Sequence, residues 1–161
     1  YKSVRMGKDG TPFYMYKFRT MKINADRLED FLTAEELEKY KKEYKLENDP
    51  RVTWIGKILR KTSADELPQI LNVIKNEMSL IGPRPILEEE TLLYGDDRST
   101  LLSVKPGLTG YWQAYARNDV GYIDGRRQEM ELYYIKNRSL KLDTKIFFAT
   151  IKRVLSGKGV F

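Results

Sequence analysis

The chain has 161 residues, 41% hydrophobic and 32% charged, with 29 Lys and Arg against 23 Asp and Glu, a formal net charge of +6. That composition fits one globular domain rather than a disordered or collagenous chain. Histidine and cysteine are both absent, which excludes disulfides, Cys/His zinc sites, cysteine nucleophiles and Ser-His-Asp triads. Any bound metal must therefore be held by oxygen, which selects Mg²⁺, Mn²⁺ or Ca²⁺.

In chain order, Val4–Met6 and Phe13–Phe18 read as strands around a turn at Gly7-Lys8-Asp9-Gly10, a β-hairpin. Residues 24–48 form a charged helical insertion within a single domain spanning residues 1–161. Inside it Thr33 and Glu36 make a capping box, and Leu37, Tyr40 and Tyr44 share one helical stripe. Asn48-Asp49-Pro50 breaks the chain. Val52, Ile55, Ile58 and Leu59 then recur with helical spacing, with Lys57, Arg60 and Lys61 among and after them. A further helix starts near Ser63 and is expected to bury Leu67, Ile70, Leu71 and Ile74.

Met78 to Pro85 holds Gly82, Pro83 and Pro85 and cannot be helical. Ile86 to Tyr94 reads as helix, Lys105 to Gly110 as a loop, and Tyr111 to Tyr115 as a short strand. Helices are expected over Arg126–Asn137 and Asp143–Leu155. The last carries Ile146, Phe147, Thr150, Ile151 and Val154 on its apolar side. The fold class that results is mainly α with a small β-hairpin, an α+β arrangement. No run of 18 apolar residues occurs, so the sequence encodes no transmembrane helix.

The adjacent acids Asp65 and Glu66 admit two readings. Ser63 and Glu66 can form a capping box, or Asp65 can itself cap a helix with Pro68 in its first turn. Alternatively the pair is chemical: a helix start flanked by Arg60 and Lys61 suits a phosphate, and two carboxylates can hold Mg²⁺. An Asp is ionised at neutral pH and can attack phosphorus without a histidine. Arg84, set between two prolines, and Arg117 are guanidinium forks delivered by Gly/Pro-rich loops, suited to bidentate phosphate contacts. There is no Walker or dinucleotide-binding glycine motif. A non-catalytic basic module that binds anionic lipid or nucleic acid is the alternative. No nucleic-acid motif supports its second form.

Four stretches carry a more specific signal: Tyr16-Lys17-Phe18-Arg19-Thr20-Met21, Leu59 through Gln69, Met78 through Pro85, and Lys105 through Gln113. In this order they resemble the bacterial sugar transferase family, the monotopic polyprenyl-phosphate phosphosugar transferases. The resemblance implies transfer of a sugar 1-phosphate from a UDP-sugar to undecaprenyl phosphate, with release of UMP, at the start of exopolysaccharide, capsule or glycan assembly. It assigns Asp65 as nucleophile and Glu66 to Mg²⁺, for which Mn²⁺ can substitute, with Asp65 beside it. It places Arg19, Arg60, Lys61, Arg84, Gln113 and Arg117 in the phosphate- and substrate-binding surface.

Glu131 stands where the family usually has Asp; the resemblance carries it over as a further candidate for that substrate-binding surface, with its polar role shifted by the extra methylene or absent. Ala116 stands where Gly is usual. The resemblance also implies a membrane surface as partner, at the cytoplasmic face of the bacterial inner membrane. A re-entrant membrane helix is expected before Arg5-Met6-Gly7, so the chain reads as a catalytic domain without its anchor.

Overall fold

The computed structural model describes residues 1–44, 46, 48–116, 120, 124–156. Strands β1 (Lys2–Met6) and β2 (Pro12–Tyr16) form the expected antiparallel hairpin, with Val4 opposite Tyr14. It ends at Tyr16 because the chain turns away: the Phe18 N–H donates to the Asp65 carbonyl at 3.0 Å. Helix α1 (Ala34–Glu43) starts on the expected Thr33/Glu36 capping box. Helix α2 (Trp54–Lys61) begins after Val52, which instead pairs with Met21 in a single bridge.

A 3₁₀ segment, Ala64–Gln69, runs into α3 (Ile70–Ile74). Strand β3 (Ser79–Ile81) lies parallel to β4 (Gly107–Thr109). The region between them holds α4 (Glu88–Thr91), a 3₁₀ stretch at Leu92–Asp97 and α5 (Arg98–Leu102). The C-terminal part is α6 (Tyr111–Tyr115), α7 (Arg126–Asn137) and α8 (Leu140–Ser156). The fold class is mainly α with small β elements, as the sequence indicates.

The main core gathers Ile86, Tyr94, Leu101, Val104, Ala114, Tyr134, Ile135 and Ile146, and a smaller one under the hairpin gathers Phe13, Met15 and Met78. Tyr134 ties two helices together, donating its hydroxyl to Asp143 at 2.9 Å.

Three expectations are corrected. Tyr111–Tyr115 is a helix, not a strand: Trp112 is buried against the Arg127 guanidinium, 4.2 Å from its ring centroid, a contact that outweighs the β preference of aromatic residues. The stretch Lys105–Gly110 is not all loop, because β4 begins at Gly107.

The third correction concerns α3, which is inverted relative to its hydrophobic pattern. Leu67, Ile70, Leu71 and Ile74 are 57%, 45%, 52% and 74% exposed, while Asp65, Gln69 and Asn72 are buried. The reason is the outer edge of β2, whose backbone groups need partners. Asn72 accepts the Tyr16 N–H at 3.1 Å and donates to the Tyr14 carbonyl and to Glu77, each at 2.7 Å.

Candidate active site

The acidic pair sits on the 3₁₀ segment between α2 and α3, and neither capping reading survives. Ser63 precedes the segment with a left-handed backbone, φ 55°, and makes no side-chain cap. The Glu66 N–H bonds the Ser63 carbonyl at 3.2 Å, not its hydroxyl. Asp65 lies inside the segment rather than at its cap. The carboxylates are therefore committed elsewhere. Glu66 accepts from the Lys17 ammonium at 3.1 Å, with both side chains more than four-fifths buried. Asp65 is 8% exposed.

Lys17 is the residue that motif reading misses. Its partner is 49 positions away in sequence, so no local spacing reveals it. β2 presents it, and the Asn72 clamp on Tyr14 and Tyr16 fixes that strand against α3. Burial lowers the Lys17 pKa, the Glu66 charge opposes this, and the Arg84 charge lowers it further. Asp65 also acts on Lys17.

Arg60 is likewise drawn in. Burial lowers its pKa, the negative charge of Asp65 opposes, and its Nε donates to the Thr20 hydroxyl at 3.1 Å. Arg84 bears on Lys17, Arg60 and Arg5 alike. The fold thus gathers Asp65, Glu66, Lys17, Arg60 and Arg84 from separate parts of the chain. Arg19 does not join them: it is exposed, its guanidinium 5.7 Å from the Tyr1 ring centroid. Lys61 is exposed at the end of α2. Arg117 lies outside the described residues.

Arg84 owes its position to the packing of two loops. The Gly82 N–H donates to the Thr109 carbonyl at 2.9 Å, and the Gly107 N–H to the Pro83 carbonyl at 2.8 Å. The backbones are so close that a Cβ on Gly107 would collide with the Gly82 nitrogen, and one on Gly110 with the Gly82 carbonyl oxygen. From the other side Glu131, 1% exposed, accepts the Arg84 N–H at 3.2 Å. Burial pushes its pKa up to about 7, against the opposing charges of Arg127 and Arg84. Buried as it is, Glu131 holds the backbone of the Arg84 loop, a supporting place rather than the substrate-facing one considered from sequence.

Gln113 lines a groove of about 220 Å³ together with Ser63 and Glu66. Among the described residues no group of three or more acidic side chains could hold a metal alone. Two adjacent carboxylates nevertheless fit Mg²⁺, which takes one or two of them and completes its shell with water and substrate phosphate. A buried carboxylate pair ringed by cations, in a chain without histidine or cysteine, suits chemistry on a phosphoryl group.

The profile of the family described as bacterial sugar transferase matches residues 1–157. The chain belongs to that family. It is 44% identical over 164 residues to the undecaprenyl-phosphate galactose phosphotransferase of Salmonella typhimurium, covering 100% of this chain and 34% of that protein. To the exopolysaccharide production protein ExoY of Sinorhizobium fredii it is 44% identical over 160 residues, 98% of this chain and 70% of the relative. To the UDP-N-acetylgalactosamine-undecaprenyl-phosphate N-acetylgalactosaminephosphotransferase of Aeromonas hydrophila it is 39% identical, over 96% of this chain and 35% of that protein. The chain thus spans about a third of two of these relatives and most of the other.

Proposed function

We propose that the chain is a transferase that moves a sugar 1-phosphate from a UDP-sugar to a polyprenyl phosphate at a membrane surface. The activities for which the Salmonella and Aeromonas relatives are named support the reaction class. The observation that carries the assignment of residues is the buried Asp65, next to a Glu66 already neutralised by Lys17 and within electrostatic reach of Arg60.

In the first half-reaction an Asp65 carboxylate oxygen attacks the phosphorus that bears the sugar. The bond from that phosphorus to the bridging oxygen breaks, and UMP leaves with that oxygen. In the second, a phosphate oxygen of the polyprenyl phosphate attacks the same phosphorus and releases the Asp65 carboxylate. No proton needs to move in either step, which suits a site without histidine. Arg60 and Arg84 stabilise the anionic phosphates, a contribution that is electrostatic and positional. Lys17 holds the Glu66 carboxylate in place through their ion pair. Glu66 with Asp65 would hold Mg²⁺, which would supply further neutralisation of phosphate charge when bound.

The exposed apolar side chains of α2 and α3, among them Trp54, Ile55, Leu71 and Ile74, suit contact with lipid at the membrane surface. Among the described residues no helix is long and apolar enough to cross a membrane. Incubation with UDP-sugar and Mg²⁺ followed by intact-mass spectrometry tests the mechanism. A sugar-phosphate adduct mapped to Asp65, accompanied by UMP and lost in EDTA, is the expected result. UMP release at full rate in EDTA, or an adduct on another residue, overturns the corresponding assignment.

A further inference from the structure

The groove beside Glu66 has walls that the reaction described above does not use. Its apolar lining comes from Leu67, Leu80, Leu108, Phe147, Ile151 and Val154, spread over the 3₁₀ segment, β3, β4 and α8. Leu80, Phe147, Ile151 and Val154 are 56%, 48%, 40% and 40% exposed, so while Ile146 on the apolar side of α8 is in the core, Phe147, Ile151 and Val154 border an open channel. Two polar residues complete the wall. Gln113 and Arg153 each carry a buried polar atom, Oε1 and Nε, without a hydrogen-bond partner among the described residues. Unsatisfied buried groups are costly unless a ligand or water takes them up.

We infer that this groove seats the first isoprene units of the polyprenyl phosphate acceptor, behind a phosphate presented to Asp65. The inference rests on the reaction proposed above and adds where the lipid lies. Three observations select this occupant over a peptide or a second copy of the chain. The groove adjoins the acidic pair, since Ser63 and Glu66 line it, so a chain lying in it leads to the reacting phosphorus. Arg153 stands in its wall, and the charge of Glu66 is balanced by Lys17 at 3.1 Å, so an anionic head meets no uncompensated carboxylate of Glu66 there. The groove is also continuous with exposed apolar surface. Leu67 lines it and leads on to Ile70, Leu71 and Ile74 on α3. A lipid can thereby pass from a bilayer to the site without crossing polar surface. A methyl-branched run of trisubstituted alkenes has no hydrogen-bonding groups along its length, which matches walls built from Leu, Ile, Val and Phe.

The test uses the chain in detergent or on vesicles, with a polyprenyl phosphate carrying a diazirine on its first isoprene. Photolysis followed by peptide mapping should label β3, β4 or α8. Labelling confined to the outer faces of α2 and α3, or none at all, overturns the inference. Because labelling requires binding but no turnover, it reads the groove even if Asp65 forms no adduct; that outcome would remove the mechanism and leave the groove. In parallel, Leu80→Trp and Ile151→Trp fill the channel from partly exposed positions. Each should raise the apparent KM for polyprenyl phosphate by at least about tenfold, with a comparable rise for a two-isoprene acceptor, whose units occupy the same groove, and a smaller change in kcat. Unchanged KM in both variants overturns the inference, as does a dimer in sedimentation that both variants abolish, which would assign the groove to a second copy.

Discussion

Two buried carboxylates, Asp65 and Glu131, make opposite predictions. Asp65 does not cap a helix, so Asp65→Asn should leave a cooperative melt and differ from wild type by no more than about 1 kcal/mol, as ordinary polar substitutions do. An amide cannot attack phosphorus, so adduct formation should vanish and transfer should fall on the order of 10⁴-fold, as it does when other catalytic nucleophiles are removed. A folded, fully active Asn variant would refute the nucleophile assignment. Glu131 is expected to act on stability instead. Its pKa rises from 4.5 unfolded to about 7 folded because burial disfavours the charge. Between those values the unfolded chain holds fewer protons than the folded one, so stability falls as pH rises from 4.5 to 7 and levels off above. The rise amounts to about 3 kcal/mol. Glu131→Gln keeps an acceptor for the Arg84 N–H and removes the titration. It should melt above wild type at pH 8, with a gap that closes as pH drops towards 4.5. A pH-independent gap would show that Glu131 is ionised throughout.

At the scale of elements, legibility divides by whether the signal is local. The hairpin turn, the Thr33/Glu36 box and the limits of α7 are written in short-range chemistry, and each appears where the sequence places it. The acidic pair and Arg84 are legible as motifs too, since their loops are marked by glycine and proline. The sidedness of α3 is not. Its apolar stripe has the spacing of a core helix, but what decides its orientation is the unpaired edge of β2, which only Asn72 on the opposite face can satisfy. Lys17 is illegible for the same reason: its significance depends on a partner brought in by that docking. The small parallel sheet also escapes pattern reading, because three-residue strands are too short for a period to show. Its close backbone contact makes a prediction. Gly107→Ala places a methyl against the Gly82 backbone, which has no flexible side chain to give way. It should cost at least about 3 kcal/mol, the upper range for overpacking, and displace Arg84, lowering activity as well. Gly95→Ala is the control. Its φ of 51° with ψ of −127° strains an alanine, but nothing lies within 4 Å of the added atom, so a loss of about 1–3 kcal/mol with normal activity is expected. Equal effects in thermal melts would mean that strain rather than contact governs both sites.

For the whole molecule, the arrangement of apolar surface is the feature that ties fold to function. A soluble enzyme would gain stability by turning Leu71 and Ile74 inward, yet the chain spends Gln69 and Asn72 on the interior and leaves these residues outside. Leu67, exposed just ahead of α3, lines the groove together with Glu66 of the charged site. A reaction between a water-soluble nucleotide sugar and a lipid phosphate needs such a border, with cations beside the phosphates and apolar surface beside the lipid. Short amphipathic helices bind bilayers reversibly, in proportion to the apolar area they bury and to the anionic lipid they meet. The chain should therefore co-sediment with vesicles containing anionic lipid, and less so as salt is raised, since its net charge is +6. Ile74 is 74% exposed and lies outside the core, so Ile74→Glu should leave the melting temperature within the error of measurement. If α3 meets lipid as proposed, the same substitution puts a carboxylate into that contact and should weaken vesicle binding about tenfold or more. Adduct formation from soluble UDP-sugar should continue in Ile74→Glu, because the proposed first half-reaction involves no lipid substrate. Transfer to vesicle-borne polyprenyl phosphate should fall in step with binding. If binding and transfer are both unchanged, α3 faces something other than the bilayer, and the border between the two substrates must lie along the groove and α8.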